Sequence, residues 1–377
     1  MKLKDIGTIV TGNTPSKKNN EYYESKDILF IKPSDIEENY ITSLESSEEY
    51  ISEKARKKAR ILPKGAILVT CIGTIGKVGI LEREATCNQQ INAIIPNDKV
   101  ISKYLAYLIQ NKQKILQLKA NAPVVPIINK TDFSEIEINI CDKNSQEKIV
   151  KKLDLLKEII DKRKNQIEWL DNIIKSQFVE MFGNINNKQK IKVLNNYFSR
   201  GKSPNYVDNS KIGVINQACI YWDYFKMENI KHQDESKINN LTEKMIRKND
   251  ILITSTGTGT LGRCNVYIGE NNKYIADGHV SILRLKEKII NPIYFKYYLM
   301  QDKVQKQLYS ECVNGSTNQI ELSKDKFLNF DVSVPNIELQ NEFSSIVKQI
   351  DKQKFEIDKS LKEMQELYES LMEKYFG

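Results

Sequence analysis

The second half of the chain restates the first, block by block and in order, and this constrains the fold more than any other feature. A repeat sets the architecture before any single residue does. Thr11-Gly12-Asn13-Thr14-Pro15 returns as Arg200-Gly201-Lys202-Ser203-Pro204, and Lys64-Gly65-Ala66-Ile67-Leu68-Val69-Thr70 as Lys248-Asn249-Asp250-Ile251-Leu252-Ile253-Thr254. The glycine turn Gly73-Thr74-Ile75-Gly76-Lys77 returns as Gly257-Thr258-Gly259-Thr260-Leu261-Gly262-Arg263, longer by two residues. Asn88-Gln89-Gln90-Ile91-Asn92-Ala93-Ile94 corresponds to Asp277-Gly278-His279-Val280-Ser281-Ile282-Leu283, and Tyr104 to Gln110 corresponds to Phe295 to Gln301. Each half closes on a long charged segment ending in Phe-Gly, at Phe182-Gly183 and Phe376-Gly377. Between these framework blocks the halves diverge. Tyr22 to Ile61 and Asp208 to Met245 share little beyond the apolar runs Ile28-Leu29-Phe30-Ile31 and Ile212-Gly213-Val214-Ile215. A duplicated scaffold with divergent inserts implies one kind of task performed on two different targets.

Within each half, short β-branched runs ended by glycine turns (Ala66 to Cys71, Asp250 to Thr254) predict buried strands, as do Ile91 to Ile95 and Val280 to Leu283. Ser102 to Gln113 and Pro292 to Leu308 predict amphipathic helices, the second opened by a proline in its favoured first turn. Ile136 to Ile140 and Phe330 to Val334 alternate with period two and predict half-buried strands. Each head is therefore expected to be a mixed α/β domain.

The closing segments lack internal Gly and Pro and carry apolar residues at heptad spacing. In the first the row is Ile149, Leu153, Leu156, Ile160, Ile167, Leu170 and Ile174. In the second it is Phe343, Ile346, Ile350, Ile357, Leu361, Met364, Leu367 and Leu371. Polar Arg163, Gln353 and Ser360 interrupt the seam. About 35 residues of helix span roughly 50 Å. The economical arrangement pairs the two helices with each other as an antiparallel coiled coil. The expected division is a first head over 1–143, a spacer helix over 144–183, a second head over 184–335 and a second spacer helix over 336–377.

Lys+Arg (57) exceed Asp+Glu (49) in the 377 residues, a net charge of +8 that suits a polyanionic partner without requiring one. The cysteines (Cys71, Cys87, Cys141, Cys219, Cys264, Cys312) form no C-x-x-C pair, and the histidines are His232 and His279. That pattern speaks against a zinc site and predicts reduced, cytosolic thiols. The start, Met1-Lys2-Leu3-Lys4-Asp5, has no apolar signal core, and no run reaches ~18 apolar residues, so a cytoplasmic protein is expected.

Two diverged domains, each followed by a long helix, resemble the specificity subunit of type I restriction-modification systems. The likeness covers nearly the whole chain and rests on Gly65 to Thr70 with Gly73 to Lys77, on Asn88 to Ile91, and on their second-half counterparts. The resemblance implies that each head is a target-recognition domain reading one half of a split site in double-stranded DNA. It implies that the helices set the gap and dock two modification subunits. It also implies that the chain is not itself catalytic: S-adenosylmethionine belongs to the modification subunit, and ATP and magnesium to any restriction subunit.

Several residues are candidates for DNA contact. The glycine turns lack the P-loop spacing, since Val78 follows Lys77. Their hydroxyls and cations (Thr70, Thr74 and Lys77; Thr254, Ser255, Thr256 and Arg263) suit phosphates, with a plain strand-ending turn as the alternative. The basic runs around Lys57 and Lys58 and around Lys248 occupy matching places, and a solvated face is the other reading. Thr14, Lys17 and Lys18 in the first head, and Ser203, Asn205 and Tyr206 in the second, hold a similar position. Gln89, Gln90, His279, Asn318 and Gln319 are of the types that read base edges.

Catalytic motifs are weak by comparison. Asn291-Pro292-Ile293-Tyr294 looks like an amino-methyltransferase signature but lacks its second proline and a glycine-rich cofactor loop, so helix-start chemistry explains it better. No carboxylate cluster recurs in both halves as metal-dependent cleavage would need. A duplicated-domain nuclease and a coiled-coil scaffold binding protein or sugar remain the alternatives.

Overall fold

Ile67-Leu68-Val69 is apolar throughout because the strand it forms is covered on both faces: Ile67 and Val69 enter one core, and Leu68 another. Ile251-Leu252-Ile253 repeats the division, with its outer residues in one core and Leu252 in a second. The computed structural model describes residues 1–38, 40–120, 126–237, 244–315 and 320–377, and the chain forms two compact units. Unit 1 is Met1–Asn165 with Asp358–Gly377, and unit 2 is Gln166–Ile357.

In unit 1 the strands are β1 (Gly7–Thr11), β2 (Ile28–Ile31), β3 (Ile41–Leu44), β4 (Glu49–Ile51), β5 (Ile67–Thr70), β6 (Val78–Leu81), β7 (Ala85–Cys87) and β8 (Ile91–Pro96). The helices are α1 (Ser102–Asn111), α2 (Gln113–Lys119), α3 (Lys130–Ser134) and the first part of α4 (Lys143–Phe182). The framework sheet runs β1-β8-β5-β6-β3, with the insert strand β3 at its edge, and a second sheet, β4-β2-β7, joins insert strands β4 and β2 to the framework strand β7.

Unit 2 holds β9 (Lys188–Lys190), α5 (Ile191–Leu194), β10 (Asn195–Arg200), β11 (Tyr206–Val207), β12 (Gly213–Ile215), β13 (Lys231–Gln233), β14 (Ile251–Thr254), β15 (Cys264–Val266), β16 (Tyr274–Ala276) and β17 (Val280–Leu285). These are followed by α6 (Pro292–Leu299), α7 (Asp302–Cys312), β18 (Val313–Asn314), β19 (Glu321–Leu322), α8 (Lys324–Leu328), β20 (Asp331–Ser333) and the first part of α9 (Ile337–Phe376). Its framework sheet is β10-β17-β14-β15 and its insert sheet β11-β13-β12-β16. The two apolar runs shared by the inserts are β2 and β12, each lying parallel to a framework strand, β7 or β16.

Three expectations need correction. The helix expected over Pro292 to Leu308 is two, because Gln301 is extended (ψ 132°) and restarts the chain as α7, with Asp302 at the new positive N-terminus. The Gln305 side chain donates to the freed carbonyl of Leu299 at 2.7 Å, which makes the break tolerable. The strand expected over Ile136 to Ile140 is a single bridge, Lys2 to Glu137. Its partner segment turns into a helical turn at Leu3–Asp5, whereas β20 has β9 beside it. The pairing of Tyr104 with Phe295 is off by one, as the following contacts show.

The first turn of each long helix carries a fully buried glutamine, Gln146 or Gln340. The Gln146 side chain accepts from the Ile101 N–H (2.9 Å) and donates to the carbonyls of Lys99 and Cys141. Gln340 accepts from the Asn291 N–H (2.8 Å) and donates to Ile289 and Pro335. Ile101 is thus equivalent to Asn291, so Tyr104 matches Tyr294 and Tyr107 matches Tyr297. A one-residue slip turns a helix by about 100°, which only the buried face resolves.

The closing phenylalanines complete the pattern. Phe376 packs on Tyr104 in unit 1 (centroids 5.1 Å) and Phe182 on Tyr294 in unit 2 (4.7 Å). Each head is therefore held by the start of its own helix and the end of the other. Within unit 2 the helices run antiparallel, with Asp171 paired to Lys354 (2.6 Å) and Phe182 on Phe343. Of the seam residues, Leu156, Ile160, Leu170, Ile174, Phe343 and Ile350 are buried, while Ile149, Ile167, Ile357, Leu361, Met364 and Leu371 are half-buried. Leu367 is exposed, and neighbouring Tyr368 packs in its place, consistent with a helix of 3.6 rather than 3.5 residues per turn drifting off its heptad.

Candidate nucleic-acid interface

In both heads three framework segments converge at the end of the framework sheet: the glycine turn, the tight turn before β8 or β17, and the segment after β1 or β10. The tight turns form in the same way. Asn88 Oδ1 accepts from the Gln90 N–H at 3.0 Å, and Asp277 Oδ1 from the His279 N–H at 2.8 Å. Side chains that hydrogen-bond their own backbone two residues on stabilise such turns, which explains why Asn and Asp interchange here.

Glycine is required in the longer turns by conformation and by space. Gly76 and Gly262 have φ of 87° and 83°, and a Cβ on either would clash with the helix glutamine Gln113 (2.6 Å) or Gln305 (2.8 Å). Thr70 and Thr254 are buried, and their hydroxyls close these turns: Thr70 donates to Thr74 O (2.5 Å), and Thr254 bonds Thr260 O and Arg263 O. Ser255 is buried against Ser281 (2.6 Å). Thr70, Thr254 and Ser255 thus shape the turn and present no surface to a ligand, which corrects their assignment as contacts.

The cations after the turns are anchored to the divergent inserts. Lys77 Nζ donates to Pro33 O (3.3 Å) and Arg263 Nη2 to Gln217 O (3.1 Å). A second pair of cations, from the basic runs, ties the insert to the end of the first framework strand. Arg60 donates to Thr11 O (2.6 Å) and Lys244 to Arg200 O (3.0 Å). The framework thus holds two unrelated inserts by the same two cation–carbonyl contacts, between residues that the repeat makes equivalent.

What remains outward-facing differs between heads. In head 1, Thr14 donates to the exposed Gln89 (2.8 Å), while Gln90 accepts from Asn88. Lys17, Lys18, Lys57, Lys58 and Thr74 are exposed. The neighbouring cations Lys54 and Arg56 are paired with Glu21, Glu24, Glu53 and Glu84, so the basic run is less available than its composition suggests. In head 2, His279 Nδ1 bonds Thr256 Oγ1 at 2.7 Å. Arg200 bonds Gly278 O and pairs with Glu321. Burial pushes the Lys244 ammonium below its usual pKa, reinforced by Lys202 and Lys324 close by, so three lysines crowd this end of the sheet. Asp277 is held above the usual carboxylate range by burial, against its bonds to the turn and the nearby His279, Arg200 and Lys231. Ser203, Asn205 and Tyr206 are exposed beside it, with Lys231 over the Tyr206 ring at 4.8 Å. Lys248 is exposed but bonds Asn271 through its backbone, at the opposite end of β14 from the glycine turn, so the structure does not bring it to this site. Asn318 and Gln319 lie outside the described residues.

Sequence reading missed Arg200, Lys202, Lys231 and Lys324. Arg200 and Lys202 sat inside a repeated block, which was the available signal, while Lys231 and Lys324 are distant in sequence and converge only in the fold. Burial raises the thiols of Cys71, Cys87 and Cys264 to about 12, so they stay protonated and unreactive. Among the described residues no group of three or more His, Cys, Asp or Glu is placed to hold a metal ion. Nor is any described helix long and apolar enough to cross a membrane.

The family model of the type I restriction modification DNA specificity domain matches the chain twice, over residues 1–169 and 184–367. The chain belongs to this family. Among curated relatives, the type I restriction enzyme MjaIX specificity subunit of Methanocaldococcus jannaschii is 36% identical over 48% of this chain and 43% of its own length. The HindI specificity subunit of Haemophilus influenzae is 33% identical over 36% of this chain and 30% of its own. The matched stretches thus span less than half of these relatives. The fold is shared along the whole chain: the S subunit of a type I restriction-modification system from M. genitalium superposes with a TM-score of 0.61 at 16% identity, covering 100% of this chain and 95% of that one. The two family matches contain the two strand-end clusters, one in each.

Proposed function

We propose that this member of the specificity family directs a type I DNA adenine methyltransferase to a bipartite site in double-stranded DNA. Each head reads one half, and the long helices set the gap and dock two modification subunits. The observation that carries this is the duplicated strand-end cluster: the same turns and the same cation–carbonyl ties hold different outward residues in each head. Identical framework with unlike presentation is what reading two unlike half-sites requires. The chain supplies recognition and no catalytic step. S-adenosylmethionine is bound by the modification subunit, ATP and magnesium by a restriction subunit where one is present, and the complex acts in the cytoplasm.

Genome-wide mapping of methylated adenine in cells with and without the gene tests this. The expected result is loss of methylation at one split motif, two short specified halves around a fixed gap. An unchanged methylome, with the modification partner expressed, refutes it.

A further inference from the structure

Head 2 carries a stacked tyrosine pair with no counterpart among the described residues of head 1, where Tyr40, at the position equivalent to Tyr224, is covered by Lys157 and Lys164 (5.1 and 5.4 Å) and by no second ring. After β12 the insert passes through the helical turn Gln217–Cys219 and reverses tightly, with Ile220 bridging Phe225 and the Tyr221 N–H donating to Tyr224 O at 3.1 Å. The reversal lays the rings of Tyr221 and Tyr224 face to face, 4.7 Å between centroids and 4° from parallel. The guanidinium of Arg263 lies over Tyr221, 4.7 Å from its centroid. Trp222, between the tyrosines, packs against the core of unit 2 and fixes the reversal.

The stack ends in an open ring, since Tyr224 is 54% exposed. Beside it stand two buried polar atoms without a partner among the described residues, Arg263 Nε and Gln217 Oε1. Head 1 makes the same tie between turn and insert with Lys77 and Pro33, which supplies neither a planar cation nor an aromatic pair.

A ring already stacked and backed by a cation loses little conformational freedom when a flat ligand covers it. The ligand class follows from the surroundings. Arg263 closes the glycine turn of the strand-end cluster, whose Arg200, Lys202, Lys244 and Lys324 cations gather at the β10 edge of the same sheet, while Asp223 within the reversal lies near the Lys296 ammonium. A polyanion suits that cluster, and a nucleobase is the flat group such a polyanion carries. We propose that the Arg263–Tyr221–Tyr224 stack is a nucleobase-stacking site, through which head 2 unstacks one base of its half-site. Head 1 reads its own half without such a step. This rests on the reading of the chain as a DNA specificity subunit.

The test uses the full chain in complex with its modification subunit, on DNA carrying the mapped motif. The methylated adenine of each half-site, which the modification subunit must itself extrude, is left unsubstituted, and the other adenine positions are replaced in turn by 2-aminopurine, whose fluorescence reports unstacking. The wild-type complex is expected to change the signal at a position in one half-site only. Tyr224→Ala should abolish that change and weaken binding roughly ten-fold, as expected for one lost stacking contact, without lowering the thermal midpoint. Tyr224→Trp should retain both. If the wild type methylates a split motif but Tyr224→Ala binds and reports as wild type does, the stacking site is refuted and the specificity reading stands. If the wild type recognises no split motif, that reading fails and the stacking site fails with it.

Discussion

Replacing Gln340 with leucine tests how a head is locked to its helix. The side chain is fully buried and satisfies three backbone groups: the Asn291 N–H (2.8 Å) and the carbonyls of Ile289 (3.2 Å) and Pro335 (2.8 Å). Leucine fills a similar volume and bonds none of them. A buried polar group left without a partner costs ~1–3 kcal/mol, and partial relaxation leaves an expected loss of about 3–5 kcal/mol for unit 2. For a unit of this size that lowers the unfolding midpoint by roughly 10 °C. Because two units break the two-state assumption, region-resolved hydrogen exchange is the proper assay. Protection should fall across α6 and the start of α9, while the framework of unit 1 keeps its own. Gln146→Leu should give the mirror result in unit 1. A loss below about 1 kcal/mol, or one spread evenly over both units, would refute the lock.

Three further outcomes are expected. Phe182→Ala should destabilise unit 2 and Phe376→Ala unit 1, each by ~3–5 kcal/mol, because each ring packs on the tyrosine of that unit; denaturant titration with the same exchange readout checks it. Glu135, bonded by Lys2 and Lys4, is held down at about 2, so its folded pKa lies below the unfolded value near 4.5. Its contribution is complete above about pH 4.5 and is lost as pH falls toward 2; Glu135→Gln should remove that acid-side loss from the stability profile of unit 1. Finally, Lys202→Ala should weaken DNA binding for all sequences alike and lower the salt slope of log K by about 1. A change in the motif read, rather than in affinity, would show that Lys202 contacts bases.

The repeat was legible because six blocks recur in order, and with it came two α/β heads, their buried strands and the pair of long helices. Periodicity supports such statements: a strand covered on both faces must be apolar throughout, as Ile67 to Val69 is, and a helix seam must recur near every third or fourth residue. The proposal of two targets arises at the same level, since it follows from divergent inserts on a repeated frame. The role of each hydroxyl was not. Thr70 and Thr254 look like ligand contacts in the sequence, and only the fold shows them buried and bonded to their own turns. The helix register of the second copy was likewise decided by Gln340 reaching Asn291, a contact across 49 residues. Lys202, Lys244 and Lys324 gather, and Arg263 meets Tyr221, only once distant segments are packed together. Sequence pattern specifies which face of an element is buried, because burial follows a local period. Which polar groups that burial brings together depends on contacts between remote segments, and those have no period to read.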